Sequence, residues 1–242
     1  MLASPTWLAL VSLTFACQNA TADRDPPPEP PRRPKLDANS RRHMDAKFVE
    51  LRAVEHALVR GQLMEAKVSA SAIANAPVDR ELDDWTRKST HVRELARDVA
   101  TAKSADDGLH RLPAVAAACA ECHVATGAWP TLARAPHVPQ DGAGTVIRMA
   151  RHQWAVDRMW DGMIGGSEES WRAGLDVLAA TPPPYSIADA DKVALGAELQ
   201  RLATTALQHR YIDSLDERAQ LYGQLLVTCA ACHETQAKLD KP

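Results

Sequence analysis

Apolar residues recur every three or four positions along most of this chain. Over residues 40–61, Met44, Phe48, Leu51, Val54 and Leu58 fall on one face of a helix. Gly61 follows and either ends that helix or permits a tight turn. The pattern predicts a second helix over 62–77, stopped by Pro77, and a third over 79–103. A fourth is predicted over 104–127, where Ser104 and Asp107 make a capping-box-like start. Pro113 lies inside it and must kink or restart the helix. The stripe then returns over 144–166 as Met149, His152, Val156, Met159 and Met163. Helices over 167–180, with Ser167 as N-cap, over 188–210, and over 214–239, with Ser214 and Glu217 as a capping box, complete the series. No stretch alternates with period two, so the expected fold is all-α.

The eight segments are one unit written twice. Met44 and Met149, Gly61 and Gly166, and Pro77 and Pro182 share an offset of 105. Farther on the offset is 110, and it matches Ser104 with Ser214, Cys119 with Cys229, Cys122 with Cys232, and His123 with His233. The five added residues fall between Pro182 and Ser214, in the turn around PPPYSIADAD. Duplication at this length implies two domains. Short loops make consecutive helices antiparallel. The expectation is therefore two tandem up-down-up-down four-helix bundles, 41–126 and 143–242, joined by a Pro/Gly linker over 127–142. In such a bundle the start of the first helix lies beside the end of the fourth. That puts Met44 near Cys119–His123 and Met149 near Cys229–His233.

Composition changes this picture little. Of 242 residues, 45% are hydrophobic and 24% charged, with a net charge of −3, which is ordinary for a globular protein. The charge gives no electrostatic pull toward nucleic acid or anionic lipid. Residues 1–22 form an apolar run followed by small residues and read as a secretory signal, without the usual positive start. Two cleavage readings compete: one after Ala20-Thr21-Ala22, the other before Cys17, which would then carry a lipid and tether the protein to a membrane. The fifth cysteine favours the lipoprotein. Residues 23–40 are a proline-rich linker suited to an extended spacer. The expected location is the periplasm or cell envelope.

The remaining four cysteines carry the chemistry. Each repeat ends in C-x-x-C-H: Cys119, Cys122 and His123, then Cys229, Cys232 and His233. This is the attachment pattern of c-type haem. The two thiols form thioethers with the haem vinyl groups, and the adjacent histidine reaches the iron as proximal ligand. On a helix, residues i and i+3 share a face, so one macrocycle edge can meet both sulfurs. Other readings are weaker. A zinc site pooling the four cysteines lacks compact finger spacing. A thioredoxin-like motif needs a βαβ context. Two disulfides suit an exported protein but leave the repeated histidines unexplained. Two covalent haems are the expected cofactors.

With these motifs the chain, from about residue 41 onward, resembles the cytochrome c′ (class II cytochrome c) family. The resemblance implies four-helix bundles with haem between the first and last helices. It also implies that Met44 and Met149 stand at the distal position, a ligand in low-spin members. Each unit here is shorter than a typical member, and two occur in tandem. His152, one turn after Met149, is an alternative ligand for the second haem; its counterpart, Lys47, reads as a solvated lysine. His43 projects off the stripe. His56, His91, His110, His137 and His209 have no repeated counterpart and read as surface or core residues, and Trp160 and Trp171 read as packing.

No nucleophile–base pair and no glycine-rich nucleotide loop is present, so the chain reads as an electron-transfer protein rather than an enzyme. The leading expectation is an exported dihaem cytochrome that passes single electrons between redox proteins of the cell envelope. The alternatives are a gas-binding haem protein with an open distal site and, less favoured, a dihaem peroxidase.

Overall fold

The computed structural model describes residues 38–77, 83–127, 136–142, 144–182, 190–208 and 214–239. The predicted signal over 1–22, Cys17, and residues 23–37 of the proline-rich linker lie outside them, as does His209.

Eight helices and no strand occur among the described residues: α1 (Ala38–Val59), α2 (Leu63–Asn75), α3 (Asp83–Ala100), α4 (Ala105–Thr126), α5 (Thr145–Gly165), α6 (Glu168–Ala180), α7 (Ala190–Gln208) and α8 (Leu215–Leu239). Each falls within a few residues of its predicted span, although α1 starts inside the predicted linker. The caps show why the boundaries were readable. Ser104, Ser167 and Ser214 each accept, through Oγ, the backbone N–H three residues on, at 3.0, 3.2 and 3.1 Å. The capping box at Ser104 is altered, because the Asp107 carboxylate accepts from the N–H of Lys103 rather than of Ser104. Gly61 and Gly166, matched by the repeat, take the same left-handed turn, with φ of 72° and 62°. A side chain is strained in that conformation, so both copies need glycine to turn the first helix into the second.

One expectation is narrowed. α4 runs through Pro113 without restarting. The proline removes the N–H that would satisfy the carbonyl of Leu109. α8 packs there through Gly223: a Cβ at that position would lie 3.2 Å from the Pro113 ring and 3.8 Å from the Leu109 oxygen. The disturbed turn of α4 is thus also where another helix comes close.

Within the first repeat, α1 touches α2 and α4, and α3 touches α2 and α4; α5 to α8 repeat this pattern. The repeats also pack on each other, mainly through α4 against α8, and through α4 against α5 and α1 against α8. The described residues cluster as a single unit. Its core is continuous, running from Leu51, Val54 and Leu58 through Leu109, Leu112 and Val115 to Met159, Trp160, Leu225 and Leu226. Two contacts join residues that are each other's counterparts in the repeat. Arg52 of α1 pairs with Asp157 of α5, 105 positions later. Pro113 meets Gly223, 110 positions later. A position meets its own counterpart only where a two-fold relation brings the copies face to face.

At this junction lies a buried polar group of residues. Glu55 is 1% exposed, and its Oε2 is 3.6 Å from Arg52 Nη1. Tyr222 of α8 donates its hydroxyl to the carbonyl oxygen of Val156 at 3.5 Å, lies within electrostatic reach of Glu55, and has its ring centroid 5.5 Å from that of Trp160, tilted by 37°. Arg158 pairs with the buried Asp161. Arg52 neutralises two carboxylates, whereas Asp157 meets one cation and also repels Glu55. Removing the arginine strands a buried acid, which is costly. Arg52→Ala is therefore expected to cost roughly 1–3 kcal/mol, discounted for the partial exposure of the pair. Asp157→Ala should cost less than half of that. Urea denaturation of the two variants checks the ordering, and equal losses would refute this account of Arg52.

Candidate functional site

The two C-x-x-C-H motifs sit in the second halves of α4 and α8. On each helix the first cysteine, the second cysteine and the histidine occupy positions i, i+3 and i+4, which share a face. None of the four cysteines is in a disulfide. Among the described residues, no group of three or more His, Cys, Asp or Glu side chains gathers as a metal cluster, so the four thiols are not pooled.

In the first repeat, burial pushes the Cys119 thiol up to about 12, with Cys122 adding and Lys47 opposing. Burial also raises Cys122, against Lys88 of α3 and Lys47 of α1. Both thiols therefore lie within electrostatic reach of Lys47. The first half of α1 runs beside the end of α4. Lys47 is half-buried on α1. Met44 is half-buried one turn before it on α1.

His123 is partly buried, and its Nδ1 lies 2.8 Å from the carbonyl oxygen of Ile164, the penultimate residue of α5 in the other repeat. Burial lowers its pKa, against the hydrogen bond, and so favours the neutral ring. A neutral imidazole that donates Nδ1–H to a carbonyl keeps its lone pair on Nε2. That is the arrangement by which histidines are oriented as metal ligands. The fit to a c-type haem therefore rests on three features of this chain: two unbridged thiols one helical turn apart, a histidine in the next position, and a carbonyl that fixes its tautomer.

The second repeat gives a related but unequal site. Burial pushes Cys229 up to about 12, with Cys232 and Glu55 of α1 adding to the rise. His233 is exposed at the surface, and its pKa is lowered by burial of part of the ring and by Arg60. Arg60 follows Val59, the counterpart of Ile164, so the two histidines look toward equivalent ends of the opposite repeat. Met149 is half-buried on α5. His152 is also half-buried, and it donates to the backbone carbonyl of Thr181 at the end of α6. Burial lowers its pKa first, with Arg148 and Arg151 also acting against the charged ring. One ring nitrogen of His152 is thus used structurally and the other remains as a donor atom. The other described histidines are peripheral. His56 lies 3.4 Å from Gln153 at the repeat junction, His110 lies 3.7 Å from Asp106, His43 is half-buried, and His91 and His137 are exposed.

Trp160 and Trp171, expected as packing, are both fully buried. The residues that sequence reasoning missed are Lys88, Ile164, Glu55 and Tyr222. Ile164 acts through its backbone, so its residue type carries no signal. Glu55 did leave one: it is an acid beside the apolar stripe of α1, next to Val54.

No protein-family model, curated protein or solved structure matches this chain.

Proposed function

We propose that the chain folds as two tandem up-down-up-down four-helix bundles, each holding one covalent c-type haem, and that it serves as an exported one-electron carrier between redox proteins of the cell envelope. The observation that carries this reading is the duplicated C-x-x-C-H motif on the last helix of each repeat, with His123 Nδ1 held by the carbonyl of Ile164. The helix neighbours within each repeat and the approach of Lys47 to Cys119 favour the bundle arrangement.

When bound, the haem supplies one-electron chemistry. The chain's part is to hold and insulate it. Cys119 and Cys122 tether one edge of the first group, and Cys229 and Cys232 that of the second. His123, through Nε2, and its counterpart His233 would supply the proximal nitrogens. Met44 and Met149, or His152 in place of Met149, would supply the sixth ligands; a thioether there would raise the potential and suit electron transfer. Lys47 and Lys88 bring positive charge beside the first pair of thiols, which favours the reduced state there. The export of the chain rests on residues 1–22, and its tether on a lipid at Cys17.

The test is the optical spectrum of the haem-matured protein, reduced, with and without carbon monoxide. The expected result is a six-coordinate spectrum that the gas leaves unchanged, because both distal sides are filled. A shift at one or both haems would refute the carrier reading for that repeat and favour gas binding there.

A further inference from the structure

We propose that Glu55 is a proton site coupled to the second haem: its carboxylate binds one proton when the iron held at Cys229–His233 is reduced and releases it on oxidation. The inference rests on the haem reading above. The balance is simple. One electron arrives from an external one-electron donor, a reduced haem or copper protein, and goes to the iron. One proton moves from bulk water to a carboxylate oxygen of Glu55, forming an O–H bond. No other bond changes.

Three features of the fold point to Glu55. Its side chain is 1% exposed, yet Oε2 makes no hydrogen bond and faces Arg52 Nη1 only at 3.6 Å, so this buried oxygen is incompletely satisfied as a carboxylate. It lies within electrostatic reach of Cys229, the thiol to which the macrocycle edge would be joined, so a charge added at the iron acts on it through protein rather than water. The surrounding charges act in opposite directions. Arg52 of α1 and the Tyr222 hydroxyl of α8 favour the carboxylate, and Asp157 and Asp161 of α5 oppose it. Burial is the largest influence and lifts the carboxyl from its ordinary range to about 7. Such a group changes its proton occupancy near neutral pH in response to a small change in charge nearby. An added electron raises its proton affinity, so the potential of the second haem falls as pH rises through the titration.

The duplication supplies an internal control. The counterpart of Glu55 is Trp160, and that of Tyr222 is Leu112. The first site has no acid at this position, so its potential should carry no slope from this source.

The test is a redox titration of the dihaem protein from mildly acid to mildly alkaline pH, for wild type and Glu55→Gln. The expected result is two resolved waves in wild type, one of which moves to lower potential as pH rises through neutrality. In E55Q that wave is flat and the other is unchanged. A wild-type protein with two flat waves, or a slope that survives E55Q, overturns the proposal. If E55Q does not fold, the redox-difference infrared spectrum of wild type decides. A protonated-carboxyl C=O band that appears on reduction and shifts in heavy water supports the proposal, and its absence overturns it. Neither outcome touches the haem reading, which fails separately if the chain takes up no covalent haem.

Discussion

Gly174→Ala will destabilise the protein by about 3 kcal/mol, near the upper end for forcing atoms into a packed core. At an ordinary helix interior the same change stabilises, by up to about 1 kcal/mol. Here the sign reverses because α5 and α6 touch through glycines. A Cβ on Gly174 would lie 2.5 Å from the carbonyl oxygen of Ala155 and 2.9 Å from the backbone N of Met159. Gly162 of α5 is equally restricted, since its Cβ would lie 2.5 Å from the backbone N of Trp171. Backbone cannot step aside as a side-chain end can, so the helices must separate. Trp171, Leu175 and Met159, all buried at this seam, then lose contact. The melting temperature should fall by roughly 6–12 °C for a chain of this size. The counterparts are Ala57 and Ser69, small but not glycine. Ser69→Ala should therefore change stability by less than about 0.5 kcal/mol. A neutral or stabilising Gly174→Ala would contradict the packing described.

His123→Ala will change one haem and spare the other. The first iron loses its proximal nitrogen while Cys119 and Cys122 keep the group in place. About half of the six-coordinate absorbance should be replaced by that of an open iron, because one of the two centres has changed. His233→Ala should do the same to the second centre. The His123 variant should also lose some stability, since it removes the hydrogen bond to Ile164 that ties α4 to the opposite repeat. The cost is about 1 kcal/mol. Absorption spectra of the reduced proteins, with a thermal melt of each, check both parts. If either substitution abolishes both spectra, the two sites do not act separately.

The helices and their ends were legible because they are set by local chemistry. Serine caps, a left-handed glycine and a turn-closing proline act over three or four residues. The duplicated register gave more than it first showed. It already placed an arginine and an aspartate, Arg52 and Asp157, at one repeat position, the opposite-charge pair a two-fold contact requires. What could not be read was which helices pack across the repeats. That depends on Gly223 meeting Pro113 and on shapes that no short window contains. The site was legible to the same degree. The cysteines and histidines proposed to hold the haems were singled out by spacing alone. The carbonyl of Ile164 and the approach of Lys47, Lys88 and Glu55 to the thiols come from elements distant in sequence.

The central claim is that each C-x-x-C-H motif holds a haem through two thioether bonds. The most direct test is the intact mass of the protein under denaturing conditions, after expression with a c-type haem attachment system. The account predicts a chain heavier by two haems, a mass that acid–organic extraction does not remove, and no thiol at Cys119, Cys122, Cys229 or Cys232 open to alkylation. A haem-free mass with those four thiols alkylated would contradict it.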